Sequence, residues 1–365
     1  MKTRQRVTVE NLSARAYTIP TDAPEADGTL EWTSTTLVIA EVSAGGVSGI
    51  GYTYADAVAA TLIESVLRDE VVGRSAWDIG STWQSMCRSV RNLGRPGIAS
   101  HAISAVDTAL WDLKSKLLGL PLIDLLGKSR PSIPVYGSGG FTSYSIHRLQ
   151  KQLSEWVSIG IPRVKMKVGA TPSQDVARVR AAREVIGDAE LFVDANGAYT
   201  QKEALSLAEE FDRYDVKWFE EPVSSDDLDG LRFIREHAPI GMAIAAGEYG
   251  YDLRYYLSML RSHSVDVLQA DATRCTGVTG FMKTAALCEA WSIPLSAHTS
   301  PTLHAHLCCA AQTAVHVEYF HDHVRIERMF FDGVLDPKDG RLTPSHARPG
   351  LGIELRESDL KQFAA

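Results

Sequence analysis

From residue 133 onward the chain repeats one pattern: a short run of apolar residues, a break, then a longer amphipathic stretch. The runs fall at 133–136, 163–168, 190–193, 216–219, 242–246, 265–269, 293–297 and 314–317. Each is apolar enough to be buried on both faces, as strands of a parallel sheet are. The stretches between them, such as 174–186 and 201–214, carry helical periodicity and good helix formers, and their length suits right-handed crossovers. Eight such repeats predict an α/β fold built on a modified (β/α)8, TIM-like barrel. Before residue 131 the order differs. A β-rich run at 34–42, a glycine turn at 45–49 and a second run at 50–54 predict a hairpin. A helical pattern at 104–118 is stopped by Gly119 and Pro121. The division expected is an α+β capping domain over 1–127, a barrel over 128–330, and a tail over 331–365 that runs back over the first domain. The glycines at 45–49 match no phosphate-loop spacing and lie between strands.

The ends of the barrel strands carry the chemistry. Asp194, Glu220 and Glu248 follow three successive apolar runs. A carboxylate in that position is not ordinary core, because strand ends of a barrel converge on one mouth. Three oxygen donors at one mouth suit a hard cation, Mg²⁺ first. Lys165 and Lys167 alternate with Met166 and so share one side of the second strand, inward if Val164 and Met166 face the helices. Asp271, His298 and Glu318 end strands six, seven and eight. Asp271 is placed to accept the Nδ1 proton of His298 and fix its tautomer. Glu221 directly follows Glu220 and is expected to point away from it. His304 and His306 read as packing or surface residues, His321 and His323 as candidates for the mouth.

Composition narrows the alternatives. A 365-residue chain that is 45% hydrophobic, with a formal charge of -8 and no basic stripe, gives no electrostatic reason to expect nucleic acid. No stretch is long and apolar enough to span a bilayer, and the first residues lack a signal-peptide core, so a cytoplasmic protein is expected. Five irregularly spaced cysteines argue for free thiols rather than a disulfide framework or a thiolate zinc site. Asn11 opens a glycosylation sequon that is read as chance.

Taken together, Lys165-x-Lys167, Asp194-Ala195-Asn196, Trp218-Phe219-Glu220-Glu221-Pro222, Gly247-Glu248, Asp271 followed by Gly277-Val278-Thr279-Gly280, and His298 with Glu318 beyond it resemble the enolase superfamily, mandelate racemase subgroup. Residues 104–113 also resemble the family's segment leading from cap to barrel, so the resemblance spans the chain. It implies that Asp194, Glu220 and Glu248 hold Mg²⁺, that Lys167 and His298 are acid and base, and that Lys165 sits beside the substrate carboxylate. It further implies Glu318 as a protonated hydrogen-bond donor, Asn196 as a hydrogen-bond partner of the substrate or of a metal ligand, and a homo-oligomer. Like charge and the metal are expected to lower the Lys167 pKa. Removing a proton alpha to a carboxylate creates a doubly charged enediolate, which a divalent cation stabilises. The partner expected is therefore a small carboxylate. Dehydration of an acid sugar, an aldonate or aldarate, is the reading chosen; racemisation, epimerisation or cycloisomerisation of a hydroxy acid is the alternative. A noncatalytic metal-binding barrel or a metal hydrolase is a third, disfavoured by the presence of both Lys167 and the His298–Asp271 pair. Substrate choice is expected in a loop over 21–32 and around 52–54, with Thr273 and Arg274 adding hydrogen bonds to hydroxyls.

Overall fold

Alternation along the first strand puts Tyr17 and Ile19 on one face, in the core shared with the barrel, and Leu12 on the other, in the core of the N-terminal body. The computed structural model, which describes residues 7–356 and 360–365, joins β1 (Asn11–Ala26), β2 (Glu31–Ala44) and β3 (Val47–Tyr54) into an antiparallel sheet in that order. The segment 21–32, expected as a loop, is the far end of the β1–β2 hairpin. Its pairing shifts register between Pro20 and Glu25, a stretch where Pro20 and Pro24 have no amide to donate. The turn that follows is held by Asp27, whose Oδ1 accepts the amides of Thr29 and Leu30 at 2.6 and 2.7 Å.

Behind this sheet runs the helix Ile98–Leu118, which starts earlier than the periodicity at 104–118 suggested and ends at Gly119 in the left-handed region. It is buried on nearly all sides by small residues. On β3 a Cβ added at Gly51 would lie 2.1 Å from the Ala105 carbonyl, so glycine is what permits this close approach. The opposite side of the helix docks on the barrel. Asp107 accepts from Thr279 N and Oγ1, both at 2.8 Å, and Ser104 Oγ accepts from Gly277 N at 3.0 Å. The glycine-containing run at 277–280 thus serves to join the two bodies.

The barrel is closed by eight parallel strands: β4 (Ile133–Gly139), β5 (Arg163–Lys167), β6 (Glu190–Asp194), β7 (Val216–Glu220), β8 (Ala243–Ala246), β9 (Val267–Ala270), β10 (Leu295–Ala297) and β11 (Ala314–Phe320), with β11 pairing back on β4. Helices between the strands bury Val164, Met166, Val193, Phe219 and Ile244 on the outside of the ring. Inside it, Tyr136, Phe192, Trp218 and Ala245 form a separate apolar layer. In the tail, β12 (Phe331–Asp332) pairs with β14 (Glu354–Leu355), while β13 (Arg341–Leu342) pairs antiparallel with the start of β4. Farther on, Gly350 exchanges backbone hydrogen bonds with Leu120 and Leu122 at 2.9 and 2.7 Å. The tail therefore touches both bodies. All five cysteines are free thiols, and no helix among the described residues is long and apolar enough to cross a membrane.

Candidate active site

Parallel register brings the strand ends level. Lys167 pairs with Asp194 across β5 and β6, and Asp194 with Glu220 across β6 and β7. Glu248 stands two residues past β8, after Gly247 at φ +135, where a Cβ would lie 2.2 Å from the Gln269 carbonyl. Only glycine fits that step. Asp194, Glu220 and Glu248 are all buried, and one oxygen from each lies within 4.8 Å of the others.

Both lysines turn inward. Lys165 is 0% exposed, with its Nζ 2.7 Å from Glu220, 2.9 Å from Glu318 and 3.2 Å from Asp194. Enclosed by these acids, it does not line the open cavity. Lys167 donates to Asp194 at 2.5 Å and to Asn196 Oδ1 at 3.0 Å. Asp194 sets the state of Lys167 here: burial pulls the ammonium down, but the carboxylate outweighs that and holds it above its usual range, so the lowering expected beside a metal requires the cation to engage Asp194. Glu318 is likewise ionised rather than protonated. Burial raises it, yet Lys165 and then His298 bring it down to about 2, and its oxygens accept from Ser138 Oγ at 2.5 Å and Thr299 N at 3.0 Å.

Opposite the lysines, His298 Nδ1 lies 2.8 Å from Asp271 Oδ2, and its Nε2 is 3.2 Å from Glu248. Burial lowers the imidazolium and Glu248 raises it, the net being a rise to about 9. Asp271 is itself held by Thr273 N and Oγ1 at 2.7 and 2.8 Å; Thr273 thus positions Asp271. Arg274 lies 3.3 Å from Glu248 and 3.6 Å from Asp271. The backbone after His298 enters the left-handed region at Thr299 and Ser300, a conformation that costs energy in residues other than glycine. His304, read as a packing or surface residue, ties this loop down: its Nε2 accepts from Ala272 N and its Nδ1 donates to the Thr299 carbonyl, both at 2.8 Å. That pairing leaves one neutral tautomer, which clamps the loops carrying Asp271 and His298 together. Its partners are loop backbone, so only the fold exposes the role.

Glu221, expected to point away, is buried with one oxygen unpartnered. Burial and then Glu248 push its carboxyl well up, and burial and then Asp194 push Glu220 up to about 8. Beyond burial, these shifts share one origin. Six carboxyl groups (Asp194, Glu220, Glu221, Glu248, Asp271, Glu318) share this region with four basic side chains (Lys165, Lys167, Arg274, His298). A divalent cation between the three strand-end acids would close that difference, so the donor set fits one.

Above the acids a cavity of about 440 Å³ opens between cap and barrel. Lys167, Asn196, Glu248, Arg274 and His298 line its barrel side; Trp32, Thr36 and Tyr54 come from the cap, and His323 from the helix after β11. His321 lies apart, 3.2 Å from Asp22.

A capped barrel with convergent acids, two inward lysines and a histidine–carboxylate pair defines an enzyme of the enolase superfamily. Residues 148–359 match the family model described as enolase C-terminal domain-like, and 19–127 that of the mandelate racemase / muconate lactonizing enzyme N-terminal domain; the chain belongs to this family. It is 34% identical to a 3,6-anhydro-alpha-L-galactonate cycloisomerase of Streptomyces coelicolor, over 87% of this chain and 88% of that one. An L-talarate/galactarate dehydratase of Salmonella typhimurium is 31% identical over 89% of this chain and 82% of its own. Its crystal structure, liganded with Mg and L-lyxarohydroxamate, has a TM-score of 0.91 at 27% identity, covering 100% of this chain and 95% of that one. A mandelate racemase/muconate lactonizing enzyme-like protein from Rubrobacter xylanophilus is 52% identical with a TM-score of 0.96, covering 98% of this chain and 100% of that one.

Proposed function

We propose that this enzyme removes the proton alpha to the carboxylate of an acid sugar and expels the β-hydroxyl as water, giving a 2-keto-3-deoxy acid. The observation that carries the reading is that Lys167 and the Asp271-supported His298 line one cavity beside Glu248. A binding barrel needs neither. Asp194, Glu220 and Glu248 would hold Mg²⁺. When bound, the cation supplies positive charge for the substrate carboxylate and competes with the lysines for the same acids. With Asp194 engaged by the cation, Lys167 would lose the partner that holds its proton, and one of Lys167 and His298, in its neutral form, takes the α-proton. The C–O bond to the β-hydroxyl then breaks, and His298 as imidazolium, favoured at neutral pH by its neighbours, delivers the proton that makes the leaving group water. The resulting enol gains a proton at carbon and becomes the 2-keto acid. Arg274 keeps Glu248 and Asp271 oriented, and Lys165 balances the charge of the acids beneath the substrate.

Incubation with Mg²⁺ and a library of aldonic and aldaric acids is expected to yield 2-keto products from at least one member. Silence across the library, with solvent deuterium entering the α-carbon, would replace dehydration by racemisation or cycloisomerisation. The 34% identity to a cycloisomerase is the observation that favours this second reading.

A further inference from the structure

The cavity has two chemically different ends. Lys167, Arg274 and His298 line the barrel end, and Asp27 and Asp56 stand on the cap side. Tyr54 and His323 share the same wall and lie face to face, with ring centroids 3.5 Å apart and planes 17° from parallel. Phe320 meets the imidazole edge-on at 5.2 Å. Packed on two sides, that imidazole has no room to turn. His323 is 7% exposed, yet its Nδ1 has no hydrogen-bond partner, and the Tyr54 hydroxyl has none either. Buried polar atoms are nearly always satisfied. Two unsatisfied ones on adjacent stacked rings, both lining a cavity, point to a ligand that completes their hydrogen bonding.

The chemistry of that ligand follows from the protonation state of the pair. His323 lies in the first turn of the helix His321–Phe330, whose amino end disfavours a charged imidazole. Burial, and after it His298, hold it well below its usual range. A neutral imidazole and a phenol each donate and accept once, as a hydroxyl group does. Asp27 and Asp56 can accept from hydroxyls but would repel a second carboxylate.

We propose that Tyr54 and His323 form the subsite that reads the hydroxylated tail of the substrate, and that the substrate is a monocarboxylic sugar acid, an aldonate rather than an aldarate. The proposal rests on the acid-sugar reading of the site. Its test separates the two by measuring binding apart from turnover. Mg²⁺-loaded protein is titrated calorimetrically with a panel of aldonates and aldarates of matched configuration. The tightest aldonate is expected to bind about tenfold or more tightly than its matched aldarate, the size of one well-placed hydrogen bond or one repulsive charge. His323→Phe keeps the stack and removes both nitrogens; it should weaken aldonate binding about tenfold and leave the aldarate unchanged. Should that variant not fold, Tyr54→Phe, which removes a single oxygen, decides, with a loss of about threefold expected. Tighter binding of the aldarate, or wild-type aldonate affinity in the folded variants, overturns the proposal. A panel that binds as described but yields no 2-keto product leaves this subsite standing and removes dehydration instead.

Discussion

Two layers inside the barrel sit one pleat apart on the same strands. Tyr136, Phe192, Trp218 and His316 make the lower one; Ser138, Asp194, Glu220 and Glu318, each two residues further along, belong to the upper. The lower layer is aromatic, with Phe192 stacked on Trp218 at 5.3 Å and His316 edge-on to Tyr136 at 4.9 Å. The upper is ionic. What joins them is specific: Trp218 Nε1 donates to Glu220 at 2.9 Å, and Lys165 Nζ lies 5.5 Å over the Tyr136 ring. The difference teaches how the site gets its strength. A packed aromatic floor excludes water from below, so the charges above it act through a medium of low polarity and hold one another firmly. Side chains two residues apart on one strand thus differ in kind: the lower ones pack the barrel, and the upper ones carry the charge on which the proposed chemistry rests.

The most severe way to break this separation is Lys167→Ala or His298→Ala. Each should lower turnover by about 10²–10⁴-fold, the usual worth of a positioned acid or base, while the melting temperature moves little. Turnover within tenfold of wild type in both would take chemistry out of the upper layer. Phe192→Ala is the counterpart below: a loss of about 3–5 kcal/mol in urea unfolding is expected from the vacated ring, with the folded fraction still turning over. Trp218→Phe tests the connection itself. It keeps an aromatic ring and deletes one donor to Glu220, so about 1–2 kcal/mol of stability should go, and an unchanged unfolding midpoint would mean that the layers are not coupled. The smallest effect concerns a buried acid outside both layers. Glu327 accepts from Tyr52 Oη at 2.7 Å and Thr302 Oγ1 at 2.6 Å, and burial raises it to about 7. Because the native state keeps a proton that the unfolded chain releases near pH 4.5, stability should fall as pH rises from 4.5 to 7. Glu327→Gln should flatten that slope in melting temperature against pH.

The ionic layer was legible in the sequence because ionisable residues at the ends of apolar runs break the rule for core residues. Asp194, Glu220, Glu248, Asp271 and His298 all carried that signal. The aromatic layer carried none: Phe192 and Trp218 look like any strand interior, and His316 was one more histidine among several. His323 was read as a mouth candidate only alongside His321, which lies apart, for a related reason. It lies at a helix start, where neither strand alternation nor helical periodicity marks a face, and its stacking partner Tyr54 is nearly 270 residues away. The protonation state of Glu318 was misjudged because it depends on which buried partner lies nearest, Lys165; that of Lys167 hinges on Asp194, an acid that a cation would engage. The hairpin at 21–32 was missed because Pro24 within it and Pro20 just before it resemble a loop.

The tail links the two bodies like a strap. Its Arg341–Leu342 strand is pinned to the barrel, whereas a few residues later Gly350 is pinned to the far end of the cap's long helix and Leu351 N donates to Asp112 at 2.7 Å. Rotating the cap away from the barrel as one rigid block would have to tear those pins out. Traffic through the mouth must therefore be managed by small local movements at its rim, and a change that frees the strap would loosen the alignment of Tyr54 with His323 without touching either ring.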